Sequence, residues 1–141
     1  MSPAAAEALL RGKGHSITAP RRAILRFFHG NTSHPTAGDV YAAVSADHPE
    51  ASRATVYATL ALLTEVGAVR ALRTAEAETR YDPNVEAHHH AVCPTCGALA
   101  DIPAEAVAVT LHGRVIQAEV RIEEPCEACQ EIVERSLRQF G

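Results

Sequence analysis

Apolar positions follow helical spacing before Gly67, and after it short extended runs with two further helical stretches. Ala4–Arg11 predicts a short helix stopped by Gly12-Lys13-Gly14. Thr18 and Pro20 open a second helix, the threonine as cap and the proline in the first turn, where its missing N–H costs nothing. Ile24, Leu25, Phe27 and Phe28 give that helix a wide apolar side. Thr36 and Asp39 make a T-x-x-D variant of the capping box and lead into Val40, Tyr41 and Val44. Ser52 caps a fourth helix, in which Val56, Leu60 and Leu63 recur at i, i+4 and i+7 before Gly67 supplies a left-handed stop. Val69–Arg73 and Thr79–Asp82 then predict a hairpin around a turn at Thr74–Glu78.

Asp82-Pro83-Asn84 reads as the start of a linker. Beyond it the pattern predicts strands at His88–Val92 and Ala98–Ile102, a helix from Pro103 to His112 ending at Gly113, and a half-buried strand in which Ile116, Ala118, Val120 and Ile122 alternate with polar residues. Gln130–Phe140 predicts a closing helix. The fold class expected is therefore α+β, with an N-terminal winged helix-turn-helix domain over residues 1–82, a hinge at 83–87, and a small C-terminal α/β dimerisation domain at 88–141.

Composition sharpens this picture. With 47% hydrophobic and 21% charged residues the chain is not disordered, but aromatics are only 4% and tryptophan is absent. A core built from small aliphatics in so short a second domain needs a metal or a partner subunit. No apolar run is long enough for a membrane span and no secretory leader opens the chain, so a cytoplasmic location is expected. The net charge of −4 argues against nucleic acid until it is divided. Residues 1–35 carry five basic side chains against one acidic, whereas residues 83–141 carry four arginines against nine acids. Only the amino-terminal half is suited to phosphate.

All four cysteines lie in two C-x-x-C pairs, Cys93/Cys96 and Cys126/Cys129, separated by 29 residues. Two such knuckles supply the tetrahedral four-sulfur shell that zinc takes in structural sites. Disulfides and a redox pair are the competing readings, and the expected reducing compartment opposes the first. A deaminase-like reading of His48-Pro49-Glu50 with Pro125-Cys126-Glu127-Ala128-Cys129 would leave Cys93 and Cys96 without a role. Just before the first pair stands His88-His89-His90. On a strand, His88 and His90 share one face about 6.6 Å apart along the chain, with His89 opposite. Two imidazoles so placed can hold one ion or simply line a polar strand. With Asp82 and Asp101 near in sequence, a mixed imidazole and carboxylate set would suit manganese or ferrous iron better than zinc or copper.

Together these residues resemble the ferric uptake regulator (Fur) family of bacterial metal-dependent repressors. The resemblance rests on His34-Pro35-Thr36-Ala37 with Asp39-Val40-Tyr41, on Ala54-Thr55-Val56-Tyr57 with Leu60, and on Gly67. It extends through Arg80-Tyr81-Asp82, His88-x-His90 and both cysteine pairs, spanning nearly the whole chain. It implies a DNA-binding homodimer with one structural Zn(II) per subunit on Cys93, Cys96, Cys126 and Cys129. It also implies one regulatory Mn(II) or Fe(II) per subunit on His34, Asp82, His88, His90 and Asp101. The aspartate at 101, where a glutamate is the family's other choice, resembles the peroxide-sensing branch, in which iron-bound protein is oxidised at ligand histidines, here His34 and His88. Manganese- or iron-uptake regulation is the alternative. A zinc-dependent enzyme or a non-DNA interaction module are remote ones. The chain departs from many relatives in having Ala58 after Tyr57, and in lacking histidines at Gln117–Ile122, where no further metal site is expected.

For the DNA face, Arg53 and Tyr57 lie four residues apart on the side of the fourth helix away from Val56, Leu60 and Leu63. Arg53 is a candidate phosphate or guanine contact and Tyr57 a candidate contact to a thymine methyl, unless Tyr57 is a core residue. Thr55 shares this region. Lys13, His15, Arg21 and Arg22 are candidates for phosphate or minor-groove contacts. A dimer would read palindromic double-stranded operator DNA.

Overall fold

The computed structural model describes residues 1–73 and 78–140, without the Val133 side chain. The turn expected at Thr74–Glu78 falls, at 74–77, outside the described residues. The chain divides into two compact units, Met1–Val85 and Glu86–Gly141.

The first unit is built from four helices and a hairpin. They are α1 (Pro3–Gly12), α2 (Ala19–Phe28), α3 (Ala37–Asp47) and α4 (Arg53–Glu65), followed by β1 (Arg70–Arg73) and β2 (Thr79–Asp82). Each helix begins where a hydroxyl can accept from the third residue on: Ser2 from the Ala5 N–H, Thr18 from Arg21, Thr36 from Asp39 and Ser52 from Thr55. The Thr36–Asp39 box is reciprocal, the carboxylate accepting from the Thr36 N–H at 3.0 Å. Leu10, Ile24, Val40, Val56, Leu60 and Leu63 are fully buried in one apolar cluster to which all four helices contribute. Each such side chain stabilises the unit by roughly 1.5–3 kcal/mol. Gly67 takes φ +78, and the Ala68 N–H closes back on Leu63 O at 2.8 Å, turning the chain into the hairpin. β1 pairs antiparallel with β2 in the register Arg70↔Asp82. β2 is fastened to the approach of α3 by the Tyr81 N–H bond to Pro35 O and the Thr36↔Arg80 bridge. This is a winged helix-turn-helix.

The second unit contains β3 (His88–Val92), β4 (Leu99–Pro103), β5 (Val109–Leu111), β6 (Arg114–Ile116), β7 (Arg121–Glu123) and α5 (Glu127–Phe140). β3 is central, antiparallel to β4 and parallel to β7, while β5 and β6 form a separate hairpin. Two expectations are corrected here. The helix predicted from Pro103 to His112 is only a 3-10 turn, Ala104–Ala106, after which the β-branched Val107, Val109 and Thr110 extend into β5. Gly113 does not end a helix. With His112 at φ +50 and Gly113 at φ +74, the two residues form the tight turn between Leu111 and Arg114, the positive-φ pair that hairpins favour. Nor is the alternating run through Ile122 one strand: it is interrupted between β6 and β7, and the Val120 N–H is taken by the His89 imidazole at 3.1 Å. The fully buried apolar interior of this unit is small, consisting among the described residues of Val92, Cys93 and Cys129, whereas Leu111, Val115, Ile116, Ile132, Leu137 and Phe140 are exposed. No helix among the described residues is long and apolar enough to cross a membrane.

Candidate metal centres and nucleic-acid interface

The β3–β4 turn and the start of α5 deliver the four cysteines to one place. Gly97, at φ +75, lets the chain fold back so that its N–H reaches Cys93 O at 2.9 Å, and the Cys93 N–H reaches Ala98 O at 2.9 Å. Cys126 immediately precedes α5 and Cys129 occupies its first turn. All four sulfurs lie within 4.8 Å of one another, with Cys96 and Cys126 at 3.6 Å, and none is in a disulfide. Bonded sulfurs would stand about 2.0 Å apart, whereas sulfurs about 2.3 Å from a shared zinc are separated by distances of the kind observed. Backbone N–H groups of Cys126 and then Cys96, aimed at Cys93 Sγ, lower that thiol to about 6. Cys129, sharing a hydrogen bond with the Cys126 sulfur and partly desolvated, is pushed up to about 12. One thiolate is thus readily accommodated while others crowd against it, the electrostatic condition that a divalent cation resolves.

The remaining ligand candidates fall into two groups, one in each unit. In the first, His34 and Asp82 are buried to 1% and 2% exposure, with His34 Nε2 at 3.6 Å from Asp82 Oδ2. His34 holds φ +51, left-handed backbone that a histidine adopts more readily than most side chains but still at a cost. Arg80 donates to the His34 carbonyl at 3.2 Å, and the Asn84 N–H donates to Asp82 Oδ1 at 2.9 Å, so the His34 backbone and the Asp82 carboxylate are both held from behind.

In the second unit, His88 and His90 project from one face of β3 as their spacing requires. Their Nε2 atoms meet at 3.0 Å, and Asp101 Oδ1 on β4 lies 3.4 Å from each. The pairing His90↔Asp101 across β3 and β4 creates this convergence. His88 Nδ1 is 2.6 Å from the Glu86 carbonyl, which can only accept, so that nitrogen carries the proton. His88 Nε2 is then a lone pair, and the approach of His90 Nε2 and the Asp101 carboxylate to it calls for a proton or a cation among them. Imidazole and carboxylate donors of this kind fit manganese or ferrous iron. His89 points the other way, accepting from Val120 and donating to Ala104 O at 3.3 Å, and is a structural strut. Sequence reasoning missed Glu119, whose carboxylate lies 3.3 Å from His90 Nδ1; only the interrupted strand brings it there.

On the DNA-facing candidates, Tyr57 is 52% exposed and therefore no core residue. Arg53 is exposed, and its guanidinium stacks over the Tyr41 ring at 4.5 Å. Thr55 is half-buried and its hydroxyl sits 3.0 Å from that of Ser52, in the cap of α4. Lys13 is exposed and His15 half-buried. Arg21 donates to Ser16 O at 2.6 Å, and Arg22 pairs with Glu7 at 2.9 Å, a contact that lowers the Glu7 carboxyl below its ordinary range.

Comparison with known proteins agrees with this arrangement. The peroxide-responsive repressor PerR of Staphylococcus aureus is 39% identical over 94 residues, which cover 67% of this chain and 64% of the relative. The chain therefore aligns with just under two thirds of that relative's length. The solved PerR of Streptococcus pyogenes is 29% identical with a TM-score of 0.57, over 92% of this chain and 93% of that one. The Helicobacter pylori ferric uptake regulator has the same fold, with a TM-score of 0.72 at 16% identity over 92% and 95% of the two chains. The model of the ferric uptake regulator family matches residues 12–126. With its winged helix-turn-helix, its four-cysteine cluster and this match, the chain belongs to the ferric uptake regulator family.

Proposed function

We propose that the chain is a metal-dependent, DNA-binding transcriptional repressor, not an enzyme, and that it works as a homodimer. Cys93, Cys96, Cys126 and Cys129 hold one structural zinc per subunit. His34, Asp82, His88, His90 and Asp101 hold one regulatory manganese or ferrous ion per subunit. The observation that carries the reading is the meeting of two buried imidazole Nε2 atoms at 3.0 Å with a carboxylate oxygen 3.4 Å from both. Drawing further ligands from the winged-helix unit ties metal occupancy to the placement of α4, so that loaded protein fits successive major grooves of a palindromic operator.

Within this scheme α4 does the reading. Arg53, steadied by Tyr41, reaches a phosphate or a guanine, and the exposed Tyr57 reaches a thymine methyl. Lys13, His15, Arg21 and Arg22 add contacts to the backbone, Arg22 by exchanging Glu7 for phosphate. The exposed Leu111, Val115 and Ile116 of the β5–β6 hairpin and Ile132, Leu137 and Phe140 of α5 supply the apolar surface for a second copy of the chain.

The finer assignment is peroxide sensing. It is supported by the aspartate at 101 and by the 39% identity to a peroxide-responsive repressor. His34 or His88 would be the residue oxidised: one oxygen of hydrogen peroxide would enter an imidazole C–H bond and the other would leave as water, the imidazole giving up the two electrons, with ferrous iron held by the ligand set supplying the chemistry that opens the O–O bond. The test is operator binding by zinc-loaded protein with manganese or ferrous iron, before and after peroxide, with intact mass followed. Loss of binding together with added oxygen in the iron form alone supports sensing. Binding that survives peroxide in both forms assigns the chain to manganese or iron homeostasis instead. Failure of either metal to promote binding refutes the repressor reading.

A further inference from the structure

We propose that Glu119 is a positioning residue for the regulatory metal ligands, acting through His90; the inference rests on the regulatory-metal reading above. Glu119 Oε1 lies 3.3 Å from His90 Nδ1, the ring nitrogen that faces away from His88 and Asp101. An ionised carboxylate can only accept, so the Nδ1 proton is drawn towards Glu119 and the lone pair is committed to Nε2, where the other donors converge. His88 is prepared in the same sense by a different group, the Glu86 carbonyl at 2.6 Å. The two ligands are therefore not equivalent: one is backed by a backbone dipole and the other by a full negative charge, which makes His90 the stronger donor to a cation.

The backbone around Glu119 is built to keep it there. Residues between β6 and β7 lie in no strand, yet the His90 N–H donates to Val120 O at 3.2 Å and the Val120 N–H donates to His89 Nδ1 at 3.1 Å. His89, 4% exposed, is braced in turn through Nε2 on Ala104 O. The residue after Val120, Arg121, pairs in parallel register with His90. Glu119 is thus clamped beside the ring it serves, its side chain 43% exposed. The interruption of the strand and the opposed roles of the three histidines serve one arrangement.

The test uses full-length, zinc-loaded protein carrying Glu119→Ala or Glu119→Gln. Manganese affinity is measured by the electron paramagnetic resonance of free Mn(II), and the His90 tautomer is read by imidazole nitrogen NMR before manganese is added. Glu119→Ala should weaken manganese binding about 10–100-fold and release His90 into a mixture of tautomers. Glu119→Gln, which keeps an acceptor oxygen but not the charge, should restore the Nδ1–H form and part of the affinity. Affinity in Glu119→Ala within about twofold of wild type, or a wild-type His90 protonated on Nε2, overturns the proposal, since a carboxylate that orients a ligand imidazole is worth about 10–100-fold. Wild-type protein that takes up no manganese sinks the regulatory-metal reading, and the nitrogen spectra then still decide whether Glu119 sets the tautomer.

Discussion

Removing zinc from the four-cysteine cluster should unfold the carboxy-terminal unit and leave the winged helix standing. Val92 is the one aliphatic side chain below a tenth exposed there among the described residues, and Leu99, Ile102, Val107, Val109, Val120 and Ile122 are half-buried. At roughly 1.5–3 kcal/mol for a fully buried aliphatic side chain and about half that for the others, the apolar interior contributes on the order of 6–12 kcal/mol. A structural zinc site contributes about 10–16 kcal/mol near neutral pH, at least as much as most of that burial. Among the described residues the amino-terminal unit buries the larger aliphatics Leu10, Ile24, Val40, Val56, Leu60 and Leu63 completely and has no such dependence. Peptide-resolved hydrogen exchange is the assay, on protein stripped by a chelator under reducing conditions or carrying Cys96→Ser. Amides of β3 and β4 should lose protection while those of α2 and α4 keep it. Slow exchange persisting in β3 and β4 of zinc-free protein would show that the sheet stands on its own packing and that the reasoning is wrong.

Four other outcomes follow from local geometry. Thr36→Ala should cost about 1 kcal/mol by opening the capping box, a fall of about 4–8 °C in the melting temperature of a unit this size. Asp39, held below its ordinary carboxyl range by the Thr36 N–H and then its hydroxyl, contributes fully above that range. The contribution is lost as pH falls through the depressed folded value, so the stability gap between wild type and Asp39→Asn should shrink below about pH 4 in urea titrations. At His34, both Ala and Gly should abolish metal-dependent operator binding without changing zinc content, but Gly should be the more stable of the two by about 1–2 kcal/mol because φ +51 strains any residue with a Cβ. Equal denaturation midpoints would count against that strain. Tyr41→Ala should weaken operator binding and Tyr41→Phe should not, since the ring face rather than the hydroxyl carries Arg53, whereas Arg53→Ala should reduce the salt slope of binding by about one if its contact is a phosphate.

The winged-helix half was nearly all legible because each helix there announces itself twice, by a hydroxyl cap and by apolar spacing; Thr36 with Asp39 and Ser52 with Val56, Leu60 and Leu63 are clear instances. The carboxy-terminal half was harder to read because little of it is organised by an apolar core. Pro103-Ala104-Glu105-Ala106 has the composition of a helix start, but the β-branched residues that follow have an extended hairpin to join and no helical face to bury. The alternation through Ile122 has a strand's rhythm, yet an imidazole, not a neighbouring strand, takes the Val120 N–H. Side chains whose position is set by chemistry rather than periodicity, the cysteine pairs and His88 with His90, could be placed from spacing alone. Glu119 could not, since its role depends on where an irregular segment passes β3. Nor does sequence distinguish Arg53, steadied on a ring, from Arg22, engaged by Glu7.

Cys129 belongs to the first turn of the helix that later presents Ile132, Leu137 and Phe140. On this wiring the sulfur cluster is a rivet at the root of a lever, and the direction in which that greasy lever points is inherited from the rivet. If a second copy covers that apolar face, as proposed, protein folded without zinc should offer the face poorly aimed and pair less well.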